Sequence, residues 1–118
     1  MKLKNKVAIV TGGGKGIGEE ISLGLAKEGA KVVVADLDKE NSSYVVKEIL
    51  KNSGEAIYVE TDVSNEASVK NLISETINRF DQIDILINNA GIRHVKKLEH
   101  HDLSDWNDMI SVNLTGPY

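Results

Sequence analysis

The chain has 118 residues, of which 41% are apolar, 27% are charged and only one is a proline, so we expect one folded domain. A net charge of −4 argues against a nucleic-acid partner, and the absence of cysteine excludes disulfides and thiolate metal sites and is typical of a reducing compartment. The apolar run after the basic residues 1–6 is too short for a signal peptide or membrane span, which favours a cytoplasmic protein without a membrane partner.

The first predicted element is a buried strand at residues 7–10, which ends at Thr11 and leads into a glycine-rich loop. Ile17, Ile21 and Leu25 then recur at helical spacing and predict a helix. A strand, a glycine loop and a helix in this order direct backbone N–H groups and a helix N-terminus at an anion. We therefore predict a phosphate-bearing ligand at this loop.

Three glycines of the loop have predicted roles. Gly12 is placed for a tight turn that needs positive φ, Gly16 would let a pyrophosphate approach the backbone, and Gly18 would let the helix pack closely on the strand. Their spacing is G-x-x-x-G-x-G and matches neither the strict G-x-G-x-x-G pattern nor a P-loop. A flexible turn is the alternative interpretation of the glycines alone.

Strands and helices alternate along the rest of the chain. This alternation predicts right-handed βαβ units and an α/β fold with a doubly wound parallel sheet. The apolar face of the second helix is predicted to be traced by Val45, Val46, Ile49 and Leu50. The further strands are predicted at 31–35, 56–59 and 83–87, and the helices between 41 and 52, from a cap at Ser64 through Phe80, and from a cap at Ser104 through Asn113.

In such a sheet the ligand lies at the carboxyl ends of the strands. Asp36 follows the second strand, eighteen residues beyond Gly18. A carboxylate there can accept hydrogen bonds from both hydroxyls of an adenosine ribose and would repel a 2′-phosphate, which favours NAD. A solvated turn aspartate is the alternative. Lys15 could pair with a 2′-phosphate and allow NADP, although an exposed lysine contributes little.

The ends of the third and fourth strands carry further candidates. Asp62 and Val63 could border an adenine ring, or Asp62 could simply begin the next helix. In the segment from Asn88 to Gly91, the amide side chains could tie neighbouring strand ends together, and Ala90 and Gly91 would leave room for a sugar. A turn made of Asn and Gly is the alternative there.

These motifs, in their order, resemble the short-chain dehydrogenase/reductase family across essentially the whole chain. The resemblance implies a Rossmann-like fold with strand order 3-2-1-4 and an NAD(P)-dependent oxidoreductase that moves a hydride between nicotinamide and an alcohol or carbonyl substrate. It also implies roles: catalytic for Asn113, and cofactor-binding for Gly12, Lys15, Gly16, Ile17, Gly18, Asp36, Leu37, Asp62, Val63, Asn88, Ala90 and Gly91, with Thr11 bonding to the segment at Asn88.

The chain departs from the family in its catalytic residues. Members use a serine and a Tyr-x-x-x-Lys pair, whereas Tyr44 here is followed by Glu48 and Tyr58 by Asp62, four positions on. We therefore expect residues 1–118 to be one cofactor-binding domain, incomplete at its C-terminus and inactive alone. A dinucleotide-binding module without catalysis, or an interaction domain, is the alternative. In this chain the fourth strand would be an unprotected edge, which predicts pairing with a second copy in a homo-oligomer or a longer polypeptide.

No metal site is predicted. The three histidines, at positions 94, 100 and 101, have no patterned carboxylate partners and are interpreted as solvent-exposed.

Overall fold

The computed structural model describes residues 2–89, so the predictions for Ala90, Gly91, Asn113 and the last helix lie outside the described residues. Strands and helices alternate throughout this part of the chain. No helix within it combines the length and apolarity needed to span a membrane. The elements are β1 (Val7–Thr11), α1 (Gly16–Lys27), β2 (Lys31–Asp36), α2 (Lys39–Lys51), β3 (Glu55–Glu60), α3 (Glu66–Phe80) and β4 (Ile85–Asn88).

The four strands form one parallel sheet in the order β3-β2-β1-β4, which confirms the predicted α/β architecture. In the register, Thr11 pairs with Ala35 on one side and with Asn88 on the other. Asp36 in turn pairs with Glu60. The carboxyl ends of all four strands therefore meet at one edge of the sheet, where the segments after each strand come together.

The core consists of two apolar clusters on opposite faces of the sheet. One contains Val7, Ile9 and Val33 of the strands with Leu72 and Phe80 of α3. The other face carries the alternate strand residues, packed against α2 and partly against α1; its buried members are Ala8, Val10, Ala30, Val32, Val34, Val45, Ile49 and Ala56. Strands covered on both faces read as near-continuous apolar runs, which explains why β1 and β2 were recognisable.

Three apolar residues of the helices are more exposed than helical spacing suggests. Leu50 of α2 is 52% exposed, Ile77 of α3 is 41% exposed, and Ile17 is 61% exposed. Leu50 directly follows the buried Ile49 and is rotated about 100° away from it around the helix, which explains its exposure. Ile17 lies in the first turn of α1, beside the glycine loop.

The cap of α3 is Asn65 and not Ser64, so this prediction was wrong by one residue. The Asn65 side chain accepts a hydrogen bond from the Ser68 N–H at 2.9 Å. The Ser64 hydroxyl instead donates to Asp62 Oδ1 at 2.6 Å. Serine and asparagine both cap helices well. Here the Ser64 hydroxyl is bonded to the Asp62 carboxylate, and the Asn65 side chain forms the cap.

The strand predicted at 83–87 is observed at Ile85–Asn88, and Asp84, the residue before it, bonds to the start of β1. The Val7 N–H donates to Asp84 Oδ2 at 2.8 Å, and the Asp84 N–H donates back to the Val7 carbonyl at 2.9 Å. Gln82 Nε2 also donates to Asp84 Oδ2, at 2.5 Å. Asp84 thereby joins the entries of β1 and β4. Pairing of a second chain along β4 stays a prediction.

Replacing Asp84 with alanine should lower the free energy of unfolding by about 1–3 kcal/mol, because the N–H of the buried Val7 loses its acceptor. Chemical denaturation of the purified chain measures this. Glu66→Ala is the control: Glu66 forms an ion pair with Lys70 at 3.4 Å between side chains that are 85% and 77% exposed. Loss of this ion pair should lower the free energy of unfolding by at most about 0.5 kcal/mol. Equal losses in the two variants would contradict the structural role of Asp84.

Candidate functional site

The glycine loop lies at the carboxyl edge of the sheet and is held in shape by its neighbours. Gly12 has φ of 64°, the left-handed conformation predicted from the sequence. Its N–H donates to the Ala35 carbonyl at 2.7 Å, and its carbonyl accepts a hydrogen bond from Asn89 Nδ2 at 3.0 Å. The first turn of the loop is therefore tied to β2 on one side and to the end of β4 on the other.

The helix α1 packs closely against the same loop. A Cβ atom at Gly18 would overlap the Gly12 carbonyl oxygen and lie 2.6 Å from Asn89 Nδ2, so the predicted close approach is confirmed. The buried Ser22 hydroxyl donates to the Gly13 carbonyl at 3.2 Å. These contacts leave little freedom in the position of α1 relative to β1.

The N-terminus of α1 differs from those of the other helices in the described part of the chain. Asp38 and Asn65 cap α2 and α3 through side-chain oxygens. The corresponding residue of α1 is Lys15, which carries no acceptor and makes no capping bond. Apart from its chain neighbours and the backbone of α1, no described atom lies within 4 Å of a Cβ built on Gly16. The helix thus starts at two exposed residues, Gly16 and Ile17, with no side-chain cap, so an anion there could accept hydrogen bonds from the first turn.

Asp36 lies beside this loop, and its carboxylate is oriented by two backbone groups. Asp36 Oδ2 accepts from the Gly14 N–H at 3.1 Å, and Oδ1 accepts from the Asp38 N–H at 3.0 Å. The side chain is half-buried, unlike that of a freely solvated turn aspartate. Each carboxylate oxygen retains acceptor capacity, so the group can still bind two hydroxyls.

The backbone of Asp36 is fixed as well, by contacts that sequence reasoning missed. Its carbonyl accepts hydrogen bonds from the Tyr58 hydroxyl and from the Thr61 N–H, both at 3.0 Å. A tyrosine near the end of an apolar strand is a weak signal, because its ring suits a core equally well. The pairing register of β2 with β3 is what brings the hydroxyl to this carbonyl.

Lys15 is exposed and lies within electrostatic reach of Asp38. Hydrogen bonds from Asn41 and, to a smaller extent, the Lys15 charge hold the pKa of Asp38 below its ordinary value. The carboxylate of Asp38 is therefore ionised at neutral pH and partly offsets the lysine. The Lys15 charge thus already acts on a carboxylate two residues from Asp36.

Two of the predicted cofactor-binding residues are apolar and follow β2 and β3, at Leu37 and Val63. Leu37 is 61% exposed and Val63 is 45% exposed, which is high for large apolar side chains. Asp62 accepts hydrogen bonds from the Ser64 hydroxyl and N–H, and these bonds lower its pKa. The Asp62 side chain thus stabilises the turn before α3, although the helix itself begins only at Glu66.

Amide side chains do tie the strand ends together, as predicted. Thr11 Oγ1 lies 3.0 Å from Asn88 Oδ1 and 3.3 Å from the Ile87 carbonyl, and Asn89 bonds to Gly12 as described above. Asn89 was not among the predicted site residues, although the doubled asparagine at a strand end was a usable signal. Thr11 and Asn88 thereby link β1 to β4 directly beneath the loop.

A separate groove of about 980 Å³ lies at the opposite, amino edge of the sheet. Its lining includes Lys31 and Glu55 at the starts of β2 and β3, with Tyr44 and Glu48 of α2. None of the predicted site residues lines it. Between residues 2 and 89 no group of three or more His, Asp or Glu side chains could hold a metal ion, and the three histidines lie outside the described residues.

The exposed helix N-terminus, the glycine loop and the oriented carboxylate at one edge of a parallel sheet define a Rossmann-like α/β domain. The family model described as short chain dehydrogenase matches residues 6–118. The chain belongs to the short-chain dehydrogenase/reductase family of oxidoreductases, as the sequence motifs indicated.

Individual relatives agree with this assignment. An uncharacterized oxidoreductase of Thermotoga maritima is 44% identical over 98% of this chain and 45% of its own length. A 3-oxoacyl-[acyl-carrier-protein] reductase of Synechocystis is also 44% identical, over 98% of this chain and 47% of its own length. The crystal structure of a hydroxysteroid dehydrogenase from Escherichia coli superposes with a TM-score of 0.72 at 38% identity, covering 74% of this chain and 37% of that one. The chain spans about half the length of the curated relatives it matches.

Proposed function

We propose that this chain is the cofactor-binding part of an NAD-preferring dehydrogenase or reductase that acts on an alcohol or carbonyl substrate. The observation that carries the proposal is the hydrogen bond from the Gly14 N–H to Asp36 at 3.1 Å. This bond supports the proposal because it joins the glycine loop to the Asp36 carboxylate, and one adenosine diphosphate unit needs a diphosphate site and a ribose site next to each other.

In this proposal the diphosphate binds at the segment from Gly12 to Gly18, including Lys15 and Ile17. The N–H groups at the start of α1 donate to it, and the helix dipole favours its charge. The adenosine ribose binds to Asp36, and the adenine ring lies between Leu37 and the Asp62–Val63 turn. Asn88, with Ala90 and Gly91 outside the described residues, lines the remaining length of the cofactor.

The preference for NAD follows from charge. A 2′-phosphate would lie against Asp36, whose two backbone donors hold the carboxylate in place so that it cannot easily turn away. Lys15 could compensate in NADP, but it is exposed and already faces Asp38. An exposed ion pair contributes about 0–1 kcal/mol, less than the repulsion between a carboxylate and a phosphate dianion at close range costs. NADP remains the weaker alternative cofactor.

When bound, the nicotinamide supplies the centre that accepts or donates the hydride. Among the residues of this chain we assign a catalytic role to Asn113, as a member of a proton relay. The serine and the Tyr-x-x-x-Lys pair of the family do not occur in residues 1–118. This observation favours a second candidate function for the chain alone, that of a dinucleotide-binding module without catalysis.

Titration of the 118-residue chain with NADH tests both candidates. We expect saturable enhancement of NADH fluorescence, because the glycine loop and Asp36 are both present in this chain. We expect no oxidation of NADH in the presence of a broad ketone panel. Turnover well above the protein-free control would contradict the inactivity of residues 1–118. No binding at millimolar NADH, with the fold intact by circular dichroism, would contradict the assigned cofactor site.

A further inference from the structure

Tyr58 has no role in the site as predicted from the sequence, yet its hydroxyl reaches the residue on which the proposed cofactor selectivity depends. The Tyr58 hydroxyl donates to the Asp36 carbonyl at 3.0 Å, across 22 residues of sequence. In the sheet, Tyr58 pairs with Val34, two positions before Asp36, so its side chain leans along β3 toward the carboxyl edge.

The Asp36 carbonyl has two acceptor positions, and both are used. One accepts the Thr61 N–H at 3.0 Å, which continues the pairing of β2 with β3 beyond the last strand residues. The other accepts the Tyr58 hydroxyl. Because the Thr61 bond alone satisfies the carbonyl, the tyrosine bond is not needed to avoid a buried unpaired group. Its effect is to fix the direction of the peptide that follows Asp36.

That peptide determines where the carboxylate points. It joins Asp36 to Leu37. The next residue along, Asp38, donates its N–H to Asp36 Oδ1 at 3.0 Å. A rotation of the Asp36 carbonyl would move this donor and, with it, the carboxylate that also accepts from Gly14. The Tyr58 hydroxyl is a dependable donor, because burial and the nearby carboxylates of Glu60, Asp36 and Asp38 raise its pKa above the ordinary value.

We propose that Tyr58 is a positioning residue for Asp36, which it holds in the orientation that binds the adenosine ribose. The inference rests on the proposed function, since it acts only through the ribose contact of Asp36. Tyr58 itself does not touch the cofactor in this proposal.

The test is a double-mutant cycle on NADH affinity with Tyr58→Phe and Asp36→Ala in the full chain. Tyr58→Phe should weaken NADH binding about two- to fivefold, the size of one modest hydrogen bond. In the Asp36→Ala background the same change should have no further effect, because the carboxylate that it positions is gone. Thermal unfolding of each variant accompanies the titrations.

Tyr44→Phe is the matched control. Tyr44 lies on α2, is 54% exposed and lines the groove at the opposite edge of the sheet. Its hydroxyl interacts with Glu48, which raises its pKa, so the variant removes the same atom and one polar contact at a place remote from the proposed cofactor site. NADH affinity should not change in this variant.

The outcomes separate the inference from the proposed function. If Asp36→Ala weakens binding but Tyr58→Phe behaves like Tyr44→Phe, the positioning role is wrong and the proposed function stands. If Tyr58→Phe weakens binding equally in both backgrounds, Tyr58 acts on the fold and the positioning role is also wrong. If Asp36→Ala leaves NADH affinity unchanged, the ribose assignment fails, and the role of Tyr58 fails with it.

Discussion

Gly18→Ala should reduce NADH affinity by about 100-fold or more and destabilise the chain by about 1–3 kcal/mol, the usual cost of overpacking. The added Cβ would overlap the Gly12 carbonyl oxygen and lie 2.7 Å from the Gly12 carbonyl carbon. To remove this overlap, α1 would have to move away from β1. The N–H groups proposed to bind the diphosphate would then be displaced. NADH titration and chemical denaturation measure the two effects.

Gly24→Ala provides the control on the same helix. Apart from its chain neighbours and the backbone of α1, no atom of the described residues lies within 4 Å of a Cβ built on Gly24, which is in the interior of this helix. Alanine there should stabilise the helix by about 0.5–1 kcal/mol and leave NADH affinity unchanged. If Gly18→Ala matched Gly24→Ala in both measurements, the close contact between α1 and the loop would not be required for binding.

Asp36→Ala should weaken NAD binding about tenfold or more and improve NADP binding relative to NAD by at least a similar factor. The first effect comes from the loss of charged hydrogen bonds to the ribose, each about 1.5–3 kcal/mol, and the second from removal of repulsion against a 2′-phosphate. Fluorescence titrations with NADH and NADPH, compared as a ratio, measure the change. Asp36→Asn should restore part of the NAD affinity without restoring the discrimination.

Asp81→Asn removes the same charge far from the proposed site. Asp81 ends α3 in the left-handed conformation, with φ of 67°, which asparagine tolerates well. The ratio of NADH to NADPH affinity should not change in this variant. An equal shift in Asp36→Asn and Asp81→Asn would mean that overall charge sets the preference, and the ribose assignment of Asp36 would then be wrong.

The sequence was sufficient to predict the parts of the fold that depend on composition and on the spacing of apolar residues. Strands buried on both faces gave β1 and β2 as apolar runs, and the alternation of strands with helices predicted a parallel sheet, whose observed order is β3-β2-β1-β4. Gly12 and Gly18 could be assigned roles because positive φ and close packing both require the absence of a side chain.

What the sequence did not reveal depends on register and on competition between neighbouring polar groups. Serine and asparagine are both good caps, and the sequence does not show that the Ser64 hydroxyl bonds to Asp62 while Asn65 caps α3. The Tyr58 contact to Asp36 requires the pairing of β2 with β3, which no local pattern specifies. The Asn89 contact to Gly12 likewise joins segments whose proximity comes from the tertiary fold.

The Asn89 bond also determines when the loop can acquire its final shape. It joins residues 77 positions apart, as does the link between Thr11 and Asn88. Closing a segment of that length costs about 3 kcal/mol more in chain entropy than closing one helical turn. Non-local contacts of this kind form slowly. We therefore expect the turn at Gly12, although encoded within the first twenty residues, to reach its final shape only after the fourth strand has docked beside the first.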